Sequence, residues 1–289
     1  MGASDIVPGV SGGTMALILG IYEELINSIK SVDLTVIRLA LAFKIKEVFN
    51  IIPWQFLLAV FVGIMGAIFT LAQGLEWLLE NQPVYLWSFF FGLVLASGVT
   101  VRKQVSRWTP PIIISAIIAV VVSYVIVGLV PGQTPDALWF VFLSGMIAIC
   151  AMILPGISGS FILVLLGKYQ YVLEAVNELD ILTVGVFGAG AVIGLVSFAR
   201  LVSWLFNRFP DLTIAILMGL MLGSLRKLWP WKITLQTALD RHGKEVPIEE
   251  LNVLPPEFGG PFFLAVGLAI VGFTFVMTLD YLAGDNKTL

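Results

Sequence analysis

Pro8-Gly9-Val10-Ser11-Gly12 returns 147 positions later as Pro155-Gly156-Ile157-Ser158-Gly159, and Leu19-Gly20 and Tyr22 return at the same offset as Leu166-Gly167 and Tyr169. Farther along, the offset falls to 127 and pairs Gly63 with Gly190, Trp77 with Trp204, Pro83 with Pro210, Gly92 with Gly219 and Ser97 with Ser224. The chain reads as a duplication with about 20 extra residues in its first half, and the mixed stretch 33 to 50 accounts for them.

Composition sets the surroundings of that duplication. Of 289 residues, 58% are hydrophobic and 12% charged, with a net charge of -3. That excludes a soluble globule, and with no basic excess no nucleic-acid partner is expected. A bilayer-spanning helix takes roughly 20 apolar residues, so this length supplies seven or eight spans. Apolar runs fall at 54 to 79, 83 to 101, 111 to 130, 137 to 154, 181 to 207, 210 to 225 and 261 to 283. Trp54, Trp77, Trp108, Trp139, Trp204 and Trp229 lie near run ends, as in an aromatic belt. The segment 33 to 50, with Arg38, Lys44, Lys46 and Glu47, suits a helix lying at the interface. Cys150 is the sole cysteine and His242 the sole histidine, the latter in a polar stretch, so neither a metal site nor an organic cofactor is expected.

Two shorter segments, 14 to 29 and 160 to 177, each follow a Pro-Gly and Ser-Gly break and read as half-helices after interrupted backbone. Irregular backbone at membrane depth requires protein or water to satisfy it. The predicted fold is an all-α polytopic membrane protein with two inverted-topology repeats, each a re-entrant or broken helix (PGxSG) followed by three transmembrane helices. It is one transporter domain over 1–289, with repeat one at 1–136, repeat two at 137–289 and a hydrophilic loop at 226–260. Nine Lys and Arg (30, 38, 44, 46, 102, 103, 107, 208, 287) fall on one face and five (226, 227, 232, 241, 244) on the other, which places the first face in the cytoplasm.

A break followed by a helix start offers free backbone N–H groups and the positive end of a helix dipole to an anion. Ser11, Gly12, Gly13 and Thr14 in the first copy, and Ser158, Gly159 and Ser160 in the second, are the candidate anion-binding residues, with Pro8, Gly9, Pro155 and Gly156 making the breaks. The competing reading is close helix packing with capping hydroxyls. Arg200 lies inside an apolar run, and its repeat counterpart is Gln73, so both are candidates for the substrate site; snorkelling competes for Arg200. Asp5, Glu23 and Lys168 flank the motifs and are candidates for coupling to a proton or cation, or for gating, against the plainer reading of interfacial charges. Both copies also contain the G-x-S-G of rhomboid-like serine proteases. A nucleophilic serine needs a base in reach, and His242 is far away in sequence, so an intramembrane hydrolase ranks last and no enzyme is expected. A transporter or channel for a small soluble anion is the nearer alternative.

Ala3-Ser4-Asp5-Ile6-Val7-Pro8-Gly9-Val10-Ser11-Gly12-Gly13-Thr14, with Leu19-Gly20-Ile21-Tyr22 and Leu154-Pro155-Gly156-Ile157-Ser158-Gly159-Ser160, resembles the polyprenyl-phosphate transporter family PopT over most of the chain. The resemblance implies translocation of undecaprenyl phosphate, the lipid carrier of cell-wall synthesis, back across a prokaryotic plasma membrane. The implied partners are that lipid and the bilayer.

Overall fold

The computed structural model describes residues 1–2, 11–132, 134–239 and 245–285 and is mostly helical. The first half runs α1 (Gly12–Ile18), α2 (Tyr22–Lys30), α3 (Leu34–Leu41), α4 (Ile45–Ile51), α5 (Trp54–Asn81), α6 (Pro83–Arg102) and α7 (Pro110–Ile126). The second runs α8 (Leu138–Ile153), α9 (Gly159–Leu165), α10 (Tyr169–Asn177), α11 (Ile181–Arg208), α12 (Pro210–Gly223), α13 (Leu225–Leu228), a strand pair β1 (Lys232–Leu239) and β2 (Glu245–Asn252), and α14 (Gly260–Asp285).

The duplication reappears as matched element lengths. Helices α1 and α9 each have 7 residues, α2 and α10 each 9, and α5 and α11 each 28. The junctions match for a physical reason. Proline lacks an N–H and disfavours helical backbone in the residue before it, so Pro83 and Pro210 end the preceding long helix and start the next at its first position. Gln82 and Phe209 accordingly share one backbone conformation, with φ -138 and -140. Gly20 and Gly167, at φ +69 and +62, end the two half-helices, and α9 meets α10 at 106°.

Among the described residues four helices, α5, α6, α11 and the Gly260–Leu282 part of α14, are long and apolar enough to cross a membrane, and α9 with α10 forms a broken pair. This makes a multi-pass membrane protein with fewer full-length spans than the seven apolar runs suggested. Helices α7, α8 and α12 have only 17, 16 and 14 residues, short of the roughly 20 a span needs. Leu154-Pro155 stops α8, and α12 stops at Ser224, which packs against the second break. The 226–260 stretch is also not a plain loop: it holds α13 and an antiparallel hairpin with Lys232 opposite Asn252. Trp229 anchors the hairpin by donating from Nε1 to the Val253 carbonyl, 2.8 Å away. The segment expected at the interface forms α3 and α4, joined at Phe43, with Leu41, Phe43 and Ile45 exposed.

Helices pack where glycine lets backbones touch, as expected where lipid removes the hydrophobic drive between helices. A Cβ on Gly92 would sit 1.9 Å from the Ala269 carbonyl oxygen, locking α6 to α14. Its repeat partner Gly219 brings α12 against α7, a Cβ there lying 2.4 Å from the Ala116 oxygen. Each half thus lends its last helix to the other. Lys103 pairs with Asp280 at 2.8 Å and the amides of Ser106 and Arg107 donate to Asp211, which gathers α6, α12 and α14 at one end. The buried core centres on α1 and α2, where Ala16, Leu17, Tyr22 and Ile26 meet Ala96, Val202 and Phe206.

Candidate functional site

The two motif copies meet. Pro155 stops α8 and leaves its last carbonyls without intrahelical donors, and the first copy supplies the missing groups. Ser11 Oγ lies 3.3 Å from the Met152 oxygen and 3.4 Å from that of Leu154, while accepting from the Gly13 amide. The Tyr22 hydroxyl donates to the Ile153 oxygen at 3.3 Å. Thr14 Oγ1 accepts from the Gly156 amide at 2.9 Å, so the break in one half is held by a hydroxyl of the other. Gly13 leaves no room for a side chain, since a Cβ would sit 2.5 Å from the Ile153 oxygen. Gly156 stands at φ +88 against Ser224 and Met221.

The second copy uses the same residue types differently. Gly159 packs back against the Ala148 carbonyl, but the Ser158 and Ser160 hydroxyls bond each other at 2.7 Å on the accessible side of α9. Ser11 and Thr14 are buried, whereas Ser160 is exposed and Ser158 half-buried. Among the described residues neither motif serine bonds a carboxylate, lysine or imidazole. The second motif helix is strapped at its far end by the 132–136 loop, with the Gly132 amide donating to Leu165 and the Thr134 hydroxyl to Leu166.

Lys168 belongs to that strap. It is buried, with Nζ 2.5 Å from Asp136 Oδ1 and 3.0 Å from the Thr134 oxygen, and over the rings of Phe140 and Tyr171. Asp136 is 68% exposed. Breaking an ion pair on the solvated side strands the buried charge, whereas removing the buried charge leaves a hydrated carboxylate. Asp136→Ala should therefore cost about 2 kcal/mol of stability and Lys168→Met under about 1 kcal/mol. Unfolding midpoints of the two variants in the reverse order would refute that account.

The other candidates lie apart. Arg200 is exposed on α11 and Gln73 on α5, and among the described residues neither hydrogen-bonds a motif residue. The Asp33 carboxyl is held below its usual range by the Val36 amide first, with the charge of Arg200 the last of the causes. Glu23 is exposed and, with Glu24 and Asn27, lines a wide groove on α2. Asp5, Pro8 and Gly9 lie outside the described residues, as does His242. Sequence reasoning missed Tyr22, Asp136 and Thr134 as partners of the motifs. Tyr22 carried a signal, because it recurs as Tyr169; the other two had none.

A family model described as "VCA0040-like: Undecaprenyl phosphate translocase-like" matches residues 1–246. A protein of Vibrio cholerae serotype O1 named "Polyprenyl-phosphate transporter" is 45% identical over 260 residues, covering 89% of this chain and 84% of that protein. A Staphylococcus aureus protein of the same name is 26% identical over 308 residues, covering 99% of this chain and 95% of that protein. No solved structure matches. These names describe transporters, not enzymes.

Proposed function

Because the chain belongs to the undecaprenyl phosphate translocase-like family, we propose that it moves a polyprenyl phosphate, undecaprenyl phosphate in the first instance, between leaflets of a prokaryotic plasma membrane. The observation that carries this reading is the meeting of the two motif copies, which puts the second helix start and its accessible Ser158–Ser160 pair on a frame built by the first. In this proposal Ser158, Gly159 and Ser160 contact the phosphate, and Ser11, Gly12, Gly13 and Thr14 hold the break that presents them. The prenyl tail stays in lipid. Arg200 and Gln73 act along the route of the headgroup rather than at the junction, and Glu23 and Lys168 are candidates for coupling or gating.

The two repeats, 1–136 and 137–289, are proposed to be inverted and to work by alternating access. Support comes from matched element lengths, from last helices exchanged between halves, and from unequal packing of the broken pairs. Helix α2 packs across onto α11 of the other half, whereas α10 packs on α11 of its own. Two equivalent segments in unequal settings are what one state of a rocking pair presents.

Reconstitution into vesicles carrying undecaprenyl phosphate tests the reading. The wild-type chain should equilibrate the lipid between leaflets, and Ser158→Ala with Ser160→Ala should slow it about tenfold or more, two phosphate contacts being lost. A double variant at wild-type rate would remove the serines from the site. A wild-type chain that moves inorganic phosphate but not the lipid would instead favour the small-anion transporter.

A further inference from the structure

Where α7 ends, α13 and the β hairpin enclose a small cleft beside the second motif helix, and the charges of its described side chains do not balance. Among the described side chains, Arg226, Lys227 and Lys232 line it with one carboxylate, Glu250, and with Phe161, the residue after Ser160. Both lysines share the same oxygen, Glu250 Oε2, at 2.7 Å from Lys227 Nζ and 3.4 Å from Lys232 Nζ. The Lys232 side chain is only 7% exposed and its ammonium lies 4.4 Å over the Trp87 ring. Lys227 lies over Phe161 at 5.8 Å, and Arg226 stacks on Tyr124 at 4.6 Å while donating to its carbonyl. Gly128 makes room for the guanidinium, since a Cβ there would sit 2.0 Å from Arg226 Cζ.

Burying cations beyond their counter-charge is costly, and a structural ion pair needs only one of each sign. From the geometry we infer that this cleft is a binding site for a phosphate monoester headgroup, which enters beside Phe161 and is passed along α9 to Ser160 and Ser158. A phosphate monoester at neutral pH brings close to two negative charges, matching the cationic excess. The cleft lies on the face opposite the one with most Lys and Arg, so it serves the extracytoplasmic leaflet. This rests on the transport reading above. Burial pushes the Lys232 ammonium down to about 8, with Glu250 opposing the shift and Lys227 adding to it. The same attraction to Lys232 and Lys227 holds the Glu250 carboxyl below its usual value although burial alone would raise it. An incoming dianion relieves the strain on Lys232.

The test titrates the purified full chain with farnesyl phosphate, a short prenyl monophosphate, and separately with inorganic phosphate. Lys227→Gln with Lys232→Gln should weaken farnesyl phosphate about 100-fold, and Arg226→Gln about tenfold should the double variant fail to fold. Lys103→Gln, paired with Asp280 at the other end, should bind as the wild type does. Above pH 8 the wild-type affinity should fall toward tenfold per pH unit as Lys232 loses its proton, a window clear of the phosphate's own titration near 6. Lys232→Arg, always charged, should bind with that fall abolished. Cleft variants that bind like the wild type, or inorganic phosphate competing at equal concentration, would overturn the assignment. If binding is as expected but vesicles show no lipid transport, the transport reading fails and the cleft stands.

Discussion

Gly156→Ala is expected to destabilise the protein by about 3 kcal/mol and to abolish most lipid translocation. A left-handed backbone costs an L-residue about 1 kcal/mol or more, and Gly156 stands at φ +88. The added methyl would also lie 2.7 Å from Ser224 Oγ and 2.9 Å from Met221 Cα. The serine hydroxyl can turn away, but Met221 Cα is backbone of α12 and cannot, so overpacking adds about 1–3 kcal/mol. The functional loss follows from the Gly156 amide, which Thr14 holds at 2.9 Å. Displacing the break pulls the two motif copies apart. Thr14→Val is the comparator: it strands a buried amide without adding bulk and should cost about 1–3 kcal/mol. Denaturant unfolding in micelles reads both, and a Gly156→Ala variant within about 0.5 kcal/mol of wild type would sink the argument.

The second large effect sets equivalent positions of the repeat against each other. Gly190→Leu should prevent the native packing of α11 on α8 and cost more than about 4 kcal/mol, while Gly63→Leu should leave stability unchanged within about 1 kcal/mol. A Cβ at Gly190 would lie 2.0 Å from the Phe142 carbonyl oxygen, and at its neighbours in this crossing, Gly145 and Gly194, a Cβ would lie 2.3 and 2.6 Å from the Phe187 and Met146 oxygens. Gly63 occupies the same place in α5, and no described residue lies within 4 Å of its Cβ position. The yield of folded, monodisperse protein after extraction separates the two variants. Equal losses at both sites would mean that α5 carries a close partner in the membrane, contrary to the packing described.

Much of this protein is legible without coordinates because its signals are local. Pro83 and Pro210 must end one helix and begin another, Gly20 and Gly167 suit a left-handed stop, and apolar runs of span length must find lipid or protein. The duplication adds information of the same kind, since a repeated Pro-Gly-x-Ser-Gly marks two equivalent breaks wherever they lie. Membrane class and the alternation of broken and long helices follow from these patterns alone.

Only the tertiary structure decided how equal sequences are used. Ser11 and Ser158 hold the same repeat position, yet one is buried on the carbonyls of α8 while the other bonds Ser160 at an accessible face. Gly63 and Gly190 differ in the same way. So do the cations: Arg226, Lys227 and Lys232 read as loop charges until the hairpin folds back over the end of α7 and brings them to one cleft. A local pattern dictates what a segment can form, because backbone sterics and hydrogen bonding act over a few residues. Which face of it is covered, and by whom, depends on contacts between residues distant in the chain, 141 positions apart for Ser11 and Met152, and no local preference encodes those.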